Sequence, residues 1–297
     1  MKRREFLKDV SLAGIAAGMG RAQLVDAAEC LFRAQPGDAT ERDLGNTLLR
    51  ANTFSICAVD ADTGEAGVAV ASKCLSVAAH VCYAAAGVGA VATQALVNPG
   101  YGPEGLRLLA QGVPAEDVVR RLTDQDVTVT PDDERHVKLY TDEQMTEEDT
   151  DFFRDKAGGR IVWLTSRIRQ LGVVDRTGRA ATHNGARIFD WSGSVTGKGF
   201  CCQGNLLAGR KVIADMAETF QQARGRSEHL AAPLLAALEA GDAAGGDKRG
   251  KQAAGMLVVR DRSHWSGSDR WCDVRVDDHA DPVAELGRIL RKVGFVK

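Results

Sequence analysis

The chain has 297 residues, a formal net charge of −2 and 44% hydrophobic residues, with 32 Gly and only 5% aromatics. That length allows one large domain or two small ones, and the near-neutral balance gives no sign of the clustered basic face a nucleic-acid footprint needs. Abundant glycine beside scarce aromatics favours thin, closely packed layers over a bulky aromatic core.

Residues 1–28 read as a targeting segment. Lys2-Arg3-Arg4-Glu5-Phe6-Leu7-Lys8 resembles the twin-arginine export signature. The apolar run Val10–Met19 that follows is too short to span a bilayer, and Ala27-Ala28 suits cleavage. Glu29 before Cys30 argues against a lipoprotein anchor. The reading implies the twin-arginine export machinery as a partner and a periplasmic or secreted location. Residues 29–52 are polar and charged, with Gln35-Pro36-Gly37-Asp38, and read as linker or propeptide.

A single domain is expected over residues 53–293. Thr53-Phe54-Ser55-Ile56-Cys57-Ala58-Val59 predicts a strand and Asp60–Glu65 a polar turn with a glycine. Gly67–Lys73 predicts the return strand of a hairpin. Val81–Ala95 is apolar and glycine-broken, which predicts buried strand pieces. Helices are expected from Pro103, placed at a first helical position, to Gly112, and again from Pro114. Residues 126–160 turn acidic and polar and predict a surface insertion, either a solvated face or a lid over a site.

Gln170–Asp175 and Ala180–Gly185 predict a second hairpin. Phe200–Gly209 reads as a glycine-punctuated turn into a helix over 210–224, followed by a helix carrying Leu230, Leu234, Leu235 and Leu238. Strands over 253–260 and 273–277 and a helix over 281–292 close the chain. Hairpins grouped between pairs of helices predict an α+β fold of antiparallel sheets with segregated helices.

Thr53 opens the first strand. A cut before it would give one residue both a hydroxyl and an α-amine titrating near ~8, its own general base. Without such a cut, Thr53 is a strand-opening residue. Lys73 ends the second strand, as a solvated strand end or an anion-orienting charge. Gln94 and Asn98 close an apolar run, which also suits turn capping. His183 ends a hairpin strand. Asp247-Lys248-Arg249 sits in a glycine-rich turn without P-loop spacing, and neither a GxSxG elbow nor an HExxH occurs. The seven Cys form no CxxC pair; Cys57, Cys74 and Cys82 read as small buried hydrophobes, with a thiol nucleophile at Cys57 or Cys74 as the alternative. No metal site and no cofactor is expected.

Several stretches in order are similar to the DUF1028 family: Thr53-Phe54-Ser55-Ile56, Gly67–Lys73, Gly87–Ala95, Asn98-Pro99-Gly100-Tyr101-Gly102, Gln203-Gly204-Asn205, Gly245–Gln252 and Arg275-Val276-Asp277-Asp278-His279. That family is grouped with the N-terminal-nucleophile (Ntn) hydrolases, and the likeness covers about residues 53–292. The resemblance implies a four-layer αββα sandwich. It implies an amidohydrolase acting on a small-molecule amide or peptide-like bond, with Thr53 as nucleophile once the chain is cut after Asn52, and Lys73 as the nearby charge. Gln94, Asn98, Tyr101, His183, Asn205, Asp247 and Arg249 are the candidates for holding substrate or oxyanion. A homodimer is the expectation by analogy. The other class kept open is an exported binding protein on the same fold, its connector uncut.

Overall fold

A computed structural model describes residues 50–51, 53–128, 164–186, 188–264 and 266–297. They lie within one unit, Leu44–Lys297. The expected signal segment 1–28, the connector from 29 to 49 and residues 129–163 of the insertion lie outside the described residues.

In chain order the strands are β1 (Arg50–Ala51), β2 (Thr53–Val59), β3 (Ala66–Ser72), β4 (Cys82–Ala85), β5 (Gly89–Leu96), β6 (Val127–Thr128), β7 (Leu164–Thr165), β8 (Arg169–Asp175), β9 (Ala180–Asn184), β10 (Gly193–Gly197), β11 (Phe200–Gly204), β12 (Ala253–Val259) and β13 (Arg270–Val276). The helices are α1 (Ala78–Val81), α2 (Tyr101–Ala110), α3 (Ala115–Asp124), α4 (Arg210–Arg224), α5 (Ala231–Ala243) and α6 (Pro282–Lys292). The fold is α+β, with two antiparallel sheets and, among the described residues, six helices. One sheet runs β10-β11-β2-β3-β12-β13; the other runs β1-β5-β8-β9, with β4 also paired to β5. A two-residue ladder joins β6 to β7.

Strands β2, β3 and β12 are buried along their whole length. Side chains alternate between faces along a strand, so both faces of each of these strands are taken out of water, and polar residues there need partners. On β2, Phe54, Ile56 and Ala58 turn toward α4, α5 and α6, meeting Ile213, Met216, Phe220, Leu234, Leu238 and Leu286. Phe200 and Phe220 lock this layer with ring centroids 4.9 Å apart. Cys57 and Val59 turn the other way, toward Ala90, Ala92 and Val174 of the second sheet. The far face of that sheet carries Val91, Leu171 and Val173 against Leu108, Leu109, Val118 and Leu122 of α2 and α3. Truncating any of these large residues to Ala costs ~2–5 kcal/mol.

The structure differs from the sequence expectations at three places. Phe200–Gly204 is a central strand rather than a turn, and its hairpin partner β10 had no expectation at all. Two Cys and a Gln inside a five-residue strand buried on both faces leave no readable period. Helix α2 starts at Tyr101, so Pro103 is its third residue; a missing N–H is tolerated there because first-turn N–H groups have no partner within the helix. Asp126, the expected first residue of the insertion, is buried and salt-bridged to Arg169 at 3.1 Å.

Candidate active site

The space between the two sheets is divided along its length. Past the middle of β2 it is apolar, lined by Cys57, Val59, Val68, Val70, Val174 and Leu257. At the start of β2 it is polar. Thr53, Ser55, Gln94, Gln170, Gln203 and Asn205 are each no more than 1% exposed. Strand register brings them together: Ser55 lies opposite Gln203 and Gln94 opposite Gln170.

Hydrogen bonds fix the orientation of every amide in this cluster. Gln170 Nε2 points at carbonyl oxygens, donating to Gly204 O at 2.9 Å and Gly193 O at 3.3 Å, and also to Asn184 Oδ1 at 2.7 Å. Its Oε1 therefore faces the other way and accepts from Gln94 Nε2 at 2.7 Å and Asn205 Nδ2 at 2.9 Å. With Nε2 so committed, Gln94 turns Oε1 to the Ser55 hydroxyl, which donates at 2.6 Å. Gln94 Nε2 also reaches the Thr53 carbonyl at 3.2 Å, and the Asn205 backbone N–H donates to the same oxygen at 3.0 Å. Gln203 Nε2 crosses between the sheets to Ala92 O at 3.0 Å.

Three atoms here stay unpaired. Thr53 Oγ1, Asn205 Oδ1 and Gln203 Oε1 are buried without a hydrogen-bond partner among the described residues. A buried polar group left unmade costs ~1–3 kcal/mol. The backbone is also strained on both flanks: Ala95, next to Gln94, has φ +68°, and Leu206, next to Asn205, has φ +53°. Both are in the left-handed region that costs a residue with a Cβ ~1–3 kcal/mol, and such strain concentrates at functional sites. Glycine supplies the remaining room. A Cβ at Gly172 would sit 2.9 Å from Cys201 Sγ and 3.2 Å from Gln203 Oε1.

The other expected site residues fall into separate groups. Lys73 is exposed and its ammonium donates to the Lys251 carbonyl at 3.2 Å. Asp247 is buried and organises its own turn, accepting from the Lys73 N–H at 3.0 Å, the Arg249 N–H at 2.9 Å and Arg249 Nη2 at 2.7 Å. Asn98 donates to Asp126 at 3.0 Å. Arg169, buried beside it, ties Asp126 to the Leu96 carbonyl at 2.6 Å. Burial, then the Asp126 carboxylate, pushes the Tyr101 phenol well above its usual pKa. His183 bonds through Nε2 to the Ser166 carbonyl at 2.7 Å. Of the expected residues, Thr53, Gln94 and Asn205 meet in the amide cluster, and Lys73 follows Ser72, the strand partner of Thr53.

Sequence reasoning passed over Ser55, Gln170 and Gln203. Their signal was available: Thr53 and Ser55 recur at period two on the face that later carries Cys57, and a Gln opening a buried strand needs partners. Burial raises Cys57 and Cys202 well above the ordinary thiol range and pushes Cys74 up to about 11. Among the described residues no group of three or more His, Cys, Asp or Glu is placed to hold a metal ion.

The chain enters this cluster from the opposite sheet. Arg50 and Ala51 pair with Leu96 and Ala95 of β5, and two residues later Thr53 opens β2 in the other sheet.

The arrangement belongs to an α+β protein of two antiparallel sheets with a buried amide cluster at one end of the space between them. The family model described as a family of unknown function, DUF1028, matches residues 53–141 and 164–286, and the chain belongs to that family. Its match begins at Thr53. The crystal structure of protein SPO2555 from Silicibacter pomeroyi, described as DUF1028, is similar to this chain at 29% identity and a TM-score of 0.60, over 81% of this chain and 85% of that one. No curated protein matches the chain.

Proposed function

We propose that the protein is an exported amidohydrolase of the N-terminal-nucleophile type. On this reading the sheets and their outer helices form the αββα sandwich of that superfamily, residues 1–28 direct export, and a cut between Asn52 and Thr53 frees the nucleophile. The observation that carries the proposal is the Thr53 hydroxyl: fully buried and without a hydrogen-bond partner among the described residues, at the head of a central strand, beside the amide cluster.

The freed Thr53 amine is the general base. The Thr53 hydroxyl adds to the amide carbonyl carbon, and its proton passes to that amine. Collapse of the adduct breaks the C–N bond and hands the proton to the departing amine. Water then attacks the Thr53 ester, gives up a proton to the same α-amine, and releases the acid with Thr53 restored. Asn205 Oδ1 is the unfilled acceptor that can hold an N–H of the α-amine and so aim its lone pair at Oγ1. Gln94 and the Asn205 N–H fix the Thr53 carbonyl and hence the rotation of the residue. Lys73 directly follows Ser72, the strand partner of Thr53, and is the nearby charge of this reading.

The pairing of β1 with β5 supports a second reading, an uncut protein whose connector stays in place and whose site binds without turnover. Intact mass and N-terminal sequencing of the exported chain separate the two. A chain beginning at Thr53, with hydrolysis of small amides retained in Thr53→Ser and abolished in Thr53→Ala, is the expected result. A mature chain beginning near Glu29 removes the hydrolase reading.

A further inference from the structure

We infer that the acyl side of the substrate is an extended peptide that pairs antiparallel with β5 at Ala95–Leu96, where Arg50–Ala51 now lies. This rests on the Thr53 reading above and names the substrate class for it.

The edge of β5 is divided in use. Strand β4 pairs with it from Gly89 to Ala92, and β1 pairs with Ala95 and Leu96. Between them, Thr93 and Gln94 have no strand partner on that edge among the described residues. Beyond the β4 ladder, four residues of β5 therefore offer a short edge to an added strand, and β1 fills half of it. Such an edge recognises main-chain N–H and C=O groups, so its ligand is a peptide in extended conformation.

Register then fixes where the reaction falls. The chain of β1 runs into Thr53, with one residue between the Ala51–Ala95 pair and the nucleophile. At ~3.3 Å per residue, a peptide in the same register presents its next carbonyl where the chain now joins Thr53. The strand β1 thus occupies the position of the acyl-side chain in front of the nucleophile. A two-residue ladder is a weak hold, so a longer strand displaces the connector once it is cut. The left-handed Ala95 lies at the pairing position nearest the nucleophile.

The test uses the full chain as exported and the peptide Leu-Leu-Arg-Ala-Asn, the sequence of residues 48–52, carrying a fluorogenic amine on its C-terminal carbonyl. Comparison peptides are the same sequence N-methylated at Arg or at Ala, and acetyl-Asn with the same amine. The pentapeptide is expected to be turned over at least tenfold faster in kcat/KM than acetyl-Asn. N-methylation at one of the two positions is expected to lower kcat/KM about tenfold, the worth of one main-chain hydrogen bond. Equal turnover of all four overturns the strand site and leaves the Thr53 hydrolase reading standing.

A second readout does not need turnover. Backbone hydrogen exchange at Ala95 and Leu96 is followed in the full-length Ala51→Pro variant, which frees the edge, and in the Arg50→Gly/Ala51→Gly variant should proline disturb folding. Millimolar unlabelled pentapeptide is expected to slow that exchange severalfold, and the N-methylated peptide to leave it unchanged. Protection without any turnover establishes the strand site and removes the hydrolase reading. Exchange indifferent to every peptide overturns the inference.

Discussion

The Asn205 backbone N–H donates to the Thr53 carbonyl at 3.0 Å, yet the side-chain oxygens on either side of that bond, Thr53 Oγ1 and Asn205 Oδ1, have no partner among the described residues. Main-chain pairing holds the two residues in register while leaving two buried oxygens unfilled. A folded protein keeps such unmade bonds at a cost. Replacing Thr53 by Val, which keeps the shape and removes the hydroxyl, is therefore expected to leave stability unchanged or raise it by ~1 kcal/mol while abolishing any hydrolysis. Urea denaturation checks it; a loss above ~1 kcal/mol would show that the hydroxyl has a partner in solution.

Gln170 is the residue on which the amide cluster turns. Its side chain meets Gln94, Asn184, Asn205 and the carbonyls of Gly193 and Gly204. Gln170→Met keeps the length and strands several buried groups at once. A destabilisation of ~3 kcal/mol or more is expected from denaturant midpoints, at ~1–3 kcal/mol for each group left unpaired. Gln203→Met, which loses a single bond to Ala92 O and an oxygen already unpaired, is expected to cost less than half as much.

Acid stability should report on Asp175. Burial alone would raise its carboxyl, but hydrogen bonds from Thr177 and Arg179 outweigh that and hold its pKa below the ordinary value. Its Oδ2 accepts both from Arg179 Nε at 2.7 Å and from the Ala115 N–H at 3.3 Å at the start of α3. Because the folded pKa lies below the unfolded one, the stabilisation is complete above the unfolded value near ~4. It is lost as pH falls through the folded value. Asp175→Asn is expected to cost ~1–3 kcal/mol at pH 7, and the gap to the parent chain should close as pH drops below ~4. A gap constant from pH 7 to pH 2 would contradict this assignment.

The thiols give a negative control. With burial pushing Cys74 to about 11 and Cys272 to about 12, and Cys57 buried between the sheets, the native chain should resist iodoacetamide at pH 8. Mass spectrometry should find these three unmodified until denaturant is added. Rapid labelling of Cys57 or Cys74 in the native chain would reopen the thiol-nucleophile reading.

Much of the fold was legible because both main hairpins carry long apolar runs separated by turns with Thr63-Gly64 and Thr177-Gly178, and the helices carry clear apolar faces. Helix 210–224 and the β2–β3 hairpin fall where the pattern put them. The strand Phe200–Gly204 was hidden because cysteine and glycine mark neither a strand nor a period. At the site, Thr53, Gln94 and Asn205 were readable one by one as polar residues at strand and turn boundaries. Their convergence was not readable, because it depends on the register of two sheets whose strands are far apart in sequence, as in the bond from Gln203 to Ala92, 111 positions apart. Asp247 was visible as a charge in a glycine-rich turn, but not that its carboxylate ties that turn to the Lys73 N–H at the end of β3.

The amide cluster is built from Thr, Ser, Gln and Asn alone. Nothing in it ionises between pH 3 and pH 10. The cluster is an electrical blank, its geometry indifferent to the medium across that range. A proton equilibrium near neutrality inside this cluster cannot come from these side chains; on the proposed reading it would come from the amine made by opening the chain at Thr53.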